Sequence, residues 1–121
     1  MVALTPEQTR HFGAASVTPY SVVHGESGGP FLGLRVEAEG RSIAYSADTE
    51  WTETLIPLAR DADLFIAEAY TYDKPVKNHL SLATLEAHLA DIRPKRLILT
   101  HMSDDMRAGS VRFAMPPRMT A

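Results

Sequence analysis

Residues 41–51 read RSIAYSADTEW, in which an apolar run at 43–45 is followed at once by SADT at 46–49. Such a run predicts a buried β-strand, and Asp48 then stands just beyond its carboxyl end, where the loops of an α/β protein gather. The sequence therefore predicts a strand tip that presents one carboxylate to a site. The alternative is that Asp48 only caps a following helix, because Asp and Thr are preferred N-cap residues.

Patterns on the N-terminal side of this strand predict a β-hairpin and one short helix. Segments 17–23 and 31–38 have the β-branched, aromatic and alternating apolar composition of strands. A tight turn at 39–41 predicts that the second of these pairs antiparallel with the strand at 42–45. Thr5 followed by proline predicts the start of a helix over 6–12.

Patterns on the C-terminal side alternate between helix and strand. A helix that Pro57 either kinks or restarts as a second turn is expected first. A strand at 64–69 follows, whose continuous apolar run indicates burial on both faces. Ser81 is a good N-cap for a helix that runs to about residue 91, and 96–100 is a further buried strand. This alternation predicts an α/β layered fold.

Composition narrows the class of protein. The chain has 121 residues, 45% of them apolar and 22% charged, and a formal net charge of −3, which together indicate a globular domain without a broad basic surface. It contains no cysteine, so disulfides and cysteine-ligated zinc are excluded. No apolar run approaches the about 18 residues of a membrane span, and the N-terminus does not resemble a secretory signal. We expect a cytoplasmic protein that does not contact a membrane.

Five side chains follow or interrupt the apolar segments and are candidates for chemistry: His24, Asp48, Glu68, His79 and His101. Imidazole nitrogen and carboxylate oxygen are the ligands that zinc and manganese accept when cysteine is absent. Each residue has a simpler explanation. A histidine at a turn can be merely polar, and Glu68, costly to bury inside LFIAEA, can be satisfied by backbone hydrogen bonds. His88 is expected to be solvated.

Four motifs in order carry a family resemblance: VVHGES, FLGLRVEAEGRSIAYSADTEW, DLFIAEAYTYD with NHLS, and KRLILTHMS. Across 17–105 they resemble the C-terminal half of the metallo-β-lactamase fold superfamily, in its ribonuclease Z and phosphodiesterase branch. The resemblance implies half of an αββα sandwich. It also implies a metallo-hydrolase with two divalent metal ions, zinc or alternatively manganese, which hydrolyses a phosphodiester through a metal-activated hydroxide.

The resemblance also implies a role for each candidate. His24 would bind the first metal, Asp48 would bridge both metals, and His101 would bind the second. Glu68 would orient His79 near the scissile phosphate. The substrate would be an RNA 3′ end or a small cyclic or linear phosphodiester, so nucleic acid is one option and not a requirement. The residues that would bind the substrate are unknown.

Two departures from the family pattern matter. Ala47 stands where the family usually has glycine, and the His-x-His-x-Asp-His motif that supplies the other metal ligands does not occur in this chain. We therefore expect a partial hydrolase domain over 1–105 and a poorly ordered tail over 106–121. Because half a sandwich leaves one sheet face uncovered, we expect a homodimer or association with an N-terminal half. The alternative function is a catalytically inactive half-domain that serves as an assembly module.

Overall fold

A computed structural model describes residues 3–25, 28–104, 106 and 119–120. Within them, seven strands form one sheet in the order of the chain, and two α-helices pack on it. The strands are β1 (Arg10–Phe12), β2 (Ala15–Ser21), β3 (Leu32–Ala38), β4 (Arg41–Tyr45), β5 (Leu64–Glu68), β6 (Leu97–Thr100) and β7 (Met119–Thr120). The helices are α1 (Leu55–Ala59) and α2 (Leu82–Ile92).

The sheet changes direction at β4. Strands β1 to β4 pair antiparallel, and the predicted hairpin is confirmed by the β3–β4 register, in which Val36 lies opposite Ile43. Strands β4 to β7 pair parallel, with α1 and α2 in the two crossover connections between β4 and β6. Parallel strands end at one edge of a sheet, so the chain segments after β4, β5 and β6 emerge together.

The predicted helix over 6–12 is wrong. The backbone N–H of Glu7 donates to the carbonyl of Pro19 at 2.7 Å, and Glu7 itself has a positive φ of 63° that a helix cannot contain. The chain then enters β1, where Arg10 lies opposite Val17. The Thr-Pro signal is local, whereas the partner that holds this segment lies on β2.

The two helices follow the local signals. Pro57 lies within the first turn of α1, where its missing N–H has no intrahelical partner to lose. Ser81 caps α2 as predicted, since its hydroxyl accepts a hydrogen bond from the backbone N–H of Thr84 at 3.2 Å. The helix ends at Arg93 in the left-handed conformation.

Among the described residues, helices cover one face of the sheet. Alternate residues of the central strands, such as Ala44, Phe65 and Leu97, are fully buried in one core together with Leu58 and Leu85 of the helices. The residues between them form what we call the open face: Leu34 and Val36 of β3, Ile43 and Tyr45 of β4, Leu64 and Ile66 of β5, and Ile98 of β6. Ile43 is 46% exposed and Tyr45 is 42% exposed, which is unusual for apolar side chains at the centre of a sheet.

The C-terminal segment is described only in part. Met106 is fully buried, and Met119–Thr120 pairs with β6 as β7. The predicted tail over 106–121 lies otherwise outside the described residues. No helix in the described part of the chain combines the length and apolar character needed to cross a membrane.

Candidate active site

The strand tip at 46–49 is locked to β5 by side-chain and backbone hydrogen bonds. The N–H of Ser46 donates to the carbonyl of Ile66 at 3.0 Å, and the buried hydroxyl of Ser46 accepts the N–H of Glu68 at 3.0 Å. The N–H of Thr49 in turn donates to the Glu68 carboxylate at 2.8 Å. Asp48 lies between these fixed points with a side chain that is 40% exposed, so its position is set while its carboxylate stays accessible.

Three non-glycine residues at the site have left-handed backbone conformations. Ala47 has a φ of 56°, Asn78 of 68° and His101 of 55°. The left-handed conformation costs an L-residue such as alanine about 1–2 kcal/mol, which explains why glycine would suit position 47 better. Each of these residues is a candidate site residue or directly precedes one, and local strain of this kind is common where a structure positions functional groups.

Glu68 is fully buried and accepts three hydrogen bonds. Its Oε1 atom accepts from Thr49, and its Oε2 atom accepts the N–H of Leu80 at 3.1 Å and lies 2.7 Å from Nδ1 of His79. Because a carboxylate can only accept, Nδ1 of His79 carries a proton, and Nε2 is the ring nitrogen that does not contact Glu68. Backbone N–H groups therefore satisfy the buried Glu68 carboxylate, as the simpler explanation expected, and Glu68 also pairs with His79.

The imidazole of His79 lies in a cluster of aromatic rings. It stacks on Tyr70 with a centroid distance of 4.5 Å, lies 5.2 Å from the ring of His101, and meets the ring of His24 edge-on at 5.1 Å. Tyr70 also stacks on His101 at 5.3 Å. The sequence did not predict that Tyr70 stacks on these histidines, because no local pattern indicates which rings meet across loops.

The remaining predicted ligands join the same cluster. Nδ1 of His24 lies 3.1 Å from the carbonyl of Asn78, so it donates there and leaves Nε2 as the acceptor. Nδ1 of His101 lies 3.9 Å from Oδ1 of Asp48. A histidine that donates one ring nitrogen to a carbonyl is in the tautomer that metal ligation requires. The donor set therefore fits a divalent metal.

The closest grouping of possible ligand atoms in the described residues differs from the predicted one. Glu68, His79 and His101 offer atoms that lie within 4.8 Å of one another. Both oxygens of Glu68 already accept protein N–H groups, which makes this carboxylate a poor ligand. The ligand set His24, Asp48 and His101 stays a prediction. His101 approaches Asp48 directly, and the ring of His79 contacts the rings of both His24 and His101. Among the described residues, the three predicted ligands do not form one tight group.

A pocket of about 290 Å³ opens beside His79. Its walls come from the segment after β4, the loop before His79 and the first turn of α2: Glu50, Trp51, Pro75, Val76, Lys77, Leu80, Ser81 and Thr84. The indole of Trp51 stacks on the ring of His88 with centroids 3.6 Å apart and planes 13° apart. His88 was expected to be solvated; it is partly buried, because this stack shields one face of its ring.

Comparison with known proteins identifies the family. Residues 1–102 match the model of the beta-lactamase superfamily domain. The chain is 35% identical over 94 residues to the uncharacterized protein Rv1339 of Mycobacterium tuberculosis, covering 74% of this chain and 33% of that protein. It is 34% identical over 76 residues to ribonuclease Z of Bacillus subtilis, covering 58% of this chain and 24% of that protein.

Solved structures show the same fold. The metallo-beta-lactamase fold protein YhfI of Bacillus subtilis superimposes with a TM-score of 0.79 at 20% identity, over 99% of this chain and 51% of that one. A diphosphatase from the PhnP family superimposes with a TM-score of 0.76 at 22% identity, over 97% of this chain and 44% of that one. The chain spans about a third of the length of the Mycobacterium relative. It belongs to the beta-lactamase superfamily domain family and has the fold of its metallo-hydrolases.

Proposed function

We propose that this chain forms one half of a two-metal hydrolase site that cleaves phosphodiesters. The observation that carries the proposal is the buried Glu68 carboxylate, which holds His79 at 2.7 Å beside the ring of His101. Burying a carboxylate costs free energy, and this buried carboxylate fixes one tautomer of an imidazole. Such an arrangement positions the imidazole for a function in the site. Divalent metals at such a site supply Lewis acidity toward water and toward a phosphoryl oxygen.

Each candidate then has a task within the chain. His24 and His101 would hold the metal ions through ring nitrogens, and the half-exposed Asp48 carboxylate would be shared between them. The Asn78 carbonyl keeps the His24 ring in the ligating tautomer. Zinc suits this mixed nitrogen and oxygen set, and manganese is the alternative. Three side chains are too few to enclose two metals, so the remaining ligands come from another polypeptide segment.

His79 is the group that handles the substrate. Glu68 holds Nδ1, so Nε2 is the nitrogen that binds a phosphate oxygen or delivers a proton to the leaving oxygen. The names of the compared proteins support phosphate-ester chemistry, since one is a ribonuclease Z and another a diphosphatase. An RNA end and a small phosphodiester are both substrates of this class.

Removing the His79 ring should lower metal-dependent phosphodiester hydrolysis by about 100-fold or more, because a positioned acid contributes at least about that factor. With zinc or manganese and a second fragment that supplies the missing ligands, we would compare the wild-type chain with its His79→Ala variant on two esters, one with a nitrophenolate and one with an alkoxide leaving group. The alkoxide ester should lose more, since its leaving oxygen depends more on a proton. His11→Ala, an exposed change on β1, is the control.

Two results would contradict this function. The first is a rate that His79→Ala leaves unchanged. The second is a complete lack of metal-dependent turnover by the wild-type chain when the missing ligands are supplied on a second fragment. The latter result would favour the alternative of an inactive assembly module.

We further propose that the open face packs against a second β-sheet. The polypeptide segment that forms this second sheet would also carry the missing metal ligands. The apolar side chains of β3 to β6 form a continuous surface, and sheets commonly pair face to face over such surfaces. The chain covers 51% of the YhfI structure, so the compared fold contains as much chain again. In isolation, the open face would instead pair with a second copy.

Ile43→Lys should therefore convert the isolated chain from an associated form to a monomer, because it places a charge at the centre of the open face. Light scattering after size-exclusion chromatography measures the mass. Ala90→Lys, on the exposed side of α2, adds the same charge elsewhere and should leave the mass unchanged. A wild-type chain that elutes as a clean monomer would overturn this association.

A further inference from the structure

We propose that the pocket beside His79 binds the nucleobase of the substrate and that Trp51 is the residue that determines this specificity. This inference rests on the proposed phosphodiester hydrolysis and names its substrate class as nucleotide phosphodiesters. His79 is itself part of the pocket wall, so a ring bound there would place the attached sugar and phosphate at the candidate active site.

The indole of Trp51 is held in place before any ligand binds. It stacks on His88 at 3.6 Å, and Nδ1 of His88 lies 2.9 Å from the carbonyl of Thr84 one turn earlier on α2. Because α2 anchors His88 and His88 stacks on Trp51, the two rings lose little conformational entropy when a third ring contacts them. Aromatic side chains of this kind are the common platform for single nucleobases.

The pocket walls match a flat ring with a polar edge. Val76 and Leu80 offer apolar surface, while Glu50 and Thr84 offer oxygen atoms that can meet ring nitrogens and amino groups. A volume of about 290 Å³ lies just below the range of about 300–1,000 Å³ that is typical of small-molecule sites. The pocket therefore suits a single base and not a helical segment of nucleic acid.

Trp51 is the single tryptophan of the chain, so its fluorescence reports on the pocket directly. We would titrate the metal-free chain with adenosine monophosphate and with ribose phosphate, and excite at the red edge of the indole absorption. Adenosine monophosphate should quench the emission saturably, and ribose phosphate should not. Thr84→Phe, which fills the pocket, should weaken the adenosine monophosphate response roughly tenfold or more.

Controls separate this inference from the hydrolytic function. Val76→Phe fills the pocket from the loop before His79 and should act like Thr84→Phe if that variant does not fold. Ala90→Phe adds an exposed ring outside the pocket and should change nothing. Equal responses to both phosphates, or an unchanged response in folded pocket-filling variants, would overturn the assignment. The titration needs neither metal nor turnover, so hydrolysis can succeed while this assignment fails, and the reverse.

Discussion

Glu68→Gln should lower the free energy of unfolding by about 2–4 kcal/mol, the largest effect that we expect from a single change at the site. The Glu68 carboxylate accepts N–H groups from Thr49, Leu80 and His79 with no exposed surface. The glutamine amide has only one oxygen, so its NH₂ group must face at least one of these donors. A buried donor without an acceptor loses its hydration and gains nothing in return.

Denaturant unfolding at one protein concentration measures this effect as a lower midpoint at an unchanged slope. Glu86→Gln is the matched control, because it makes the same chemical change at an exposed position of α2 and should stay within about 0.5 kcal/mol of wild type. If Glu68→Gln is as stable as Glu86→Gln, the carboxylate does not hold the three donors together.

Gly33→Ala should destabilise the chain by about 2–3 kcal/mol, because the added methyl group has no room. A Cβ atom at this buried position of β3 would lie 2.5 Å from Cδ1 of Leu58 and 2.9 Å from the carbonyl oxygen of Tyr45. The leucine can move, but the carbonyl belongs to β4. A third close atom, the carbonyl oxygen of Ser46 at 3.3 Å, belongs to the strand tip that carries Asp48.

The change at Gly33 should therefore disturb the site as well as the core. Urea unfolding measures the stability, and the affinity for zinc reports the displaced strand tip. Glu37→Ala is the control, since it adds no atoms at an exposed position of the same strand. Wild-type stability of Gly33→Ala would show that the carbonyl of Tyr45 does not approach Gly33 as closely as described.

Much of the fold follows from patterns that are local in the sequence. The continuous apolar runs at 64–69 and 96–100 correspond to β5 and β6, and the Ser81 cap gives the start of α2. These signals succeed because apolar strands and helix caps leave direct marks on composition, although the expected burial of β5 on both faces is wrong for the described residues, where Leu64 and Ile66 are only partly buried. The helix over 6–12 fails because the acceptor that holds Glu7 is the carbonyl of Pro19 on another strand.

The candidate site also contains some contacts that the sequence predicts and others that it does not. The approach of Asp48 to His101 could be expected, because parallel strands end at one edge of the sheet. The stacking of Tyr70 on His79 and of Trp51 on His88 could not be expected, since each contact depends on the tertiary packing of loops and helices near that edge. The close approach at Gly33 is likewise invisible in the sequence, where that residue simply interrupts a strand pattern.

Calorimetric titration of the chain with zinc tests the proposed metal centre most directly. We expect the wild-type chain to bind zinc and Asp48→Ala to bind it at least about tenfold more weakly. Asp91→Ala removes an exposed carboxylate of α2 and should leave the affinity unchanged. A wild-type chain that binds neither zinc nor manganese, or an Asp48→Ala variant with wild-type affinity, would contradict the assignment of Asp48 as a metal ligand.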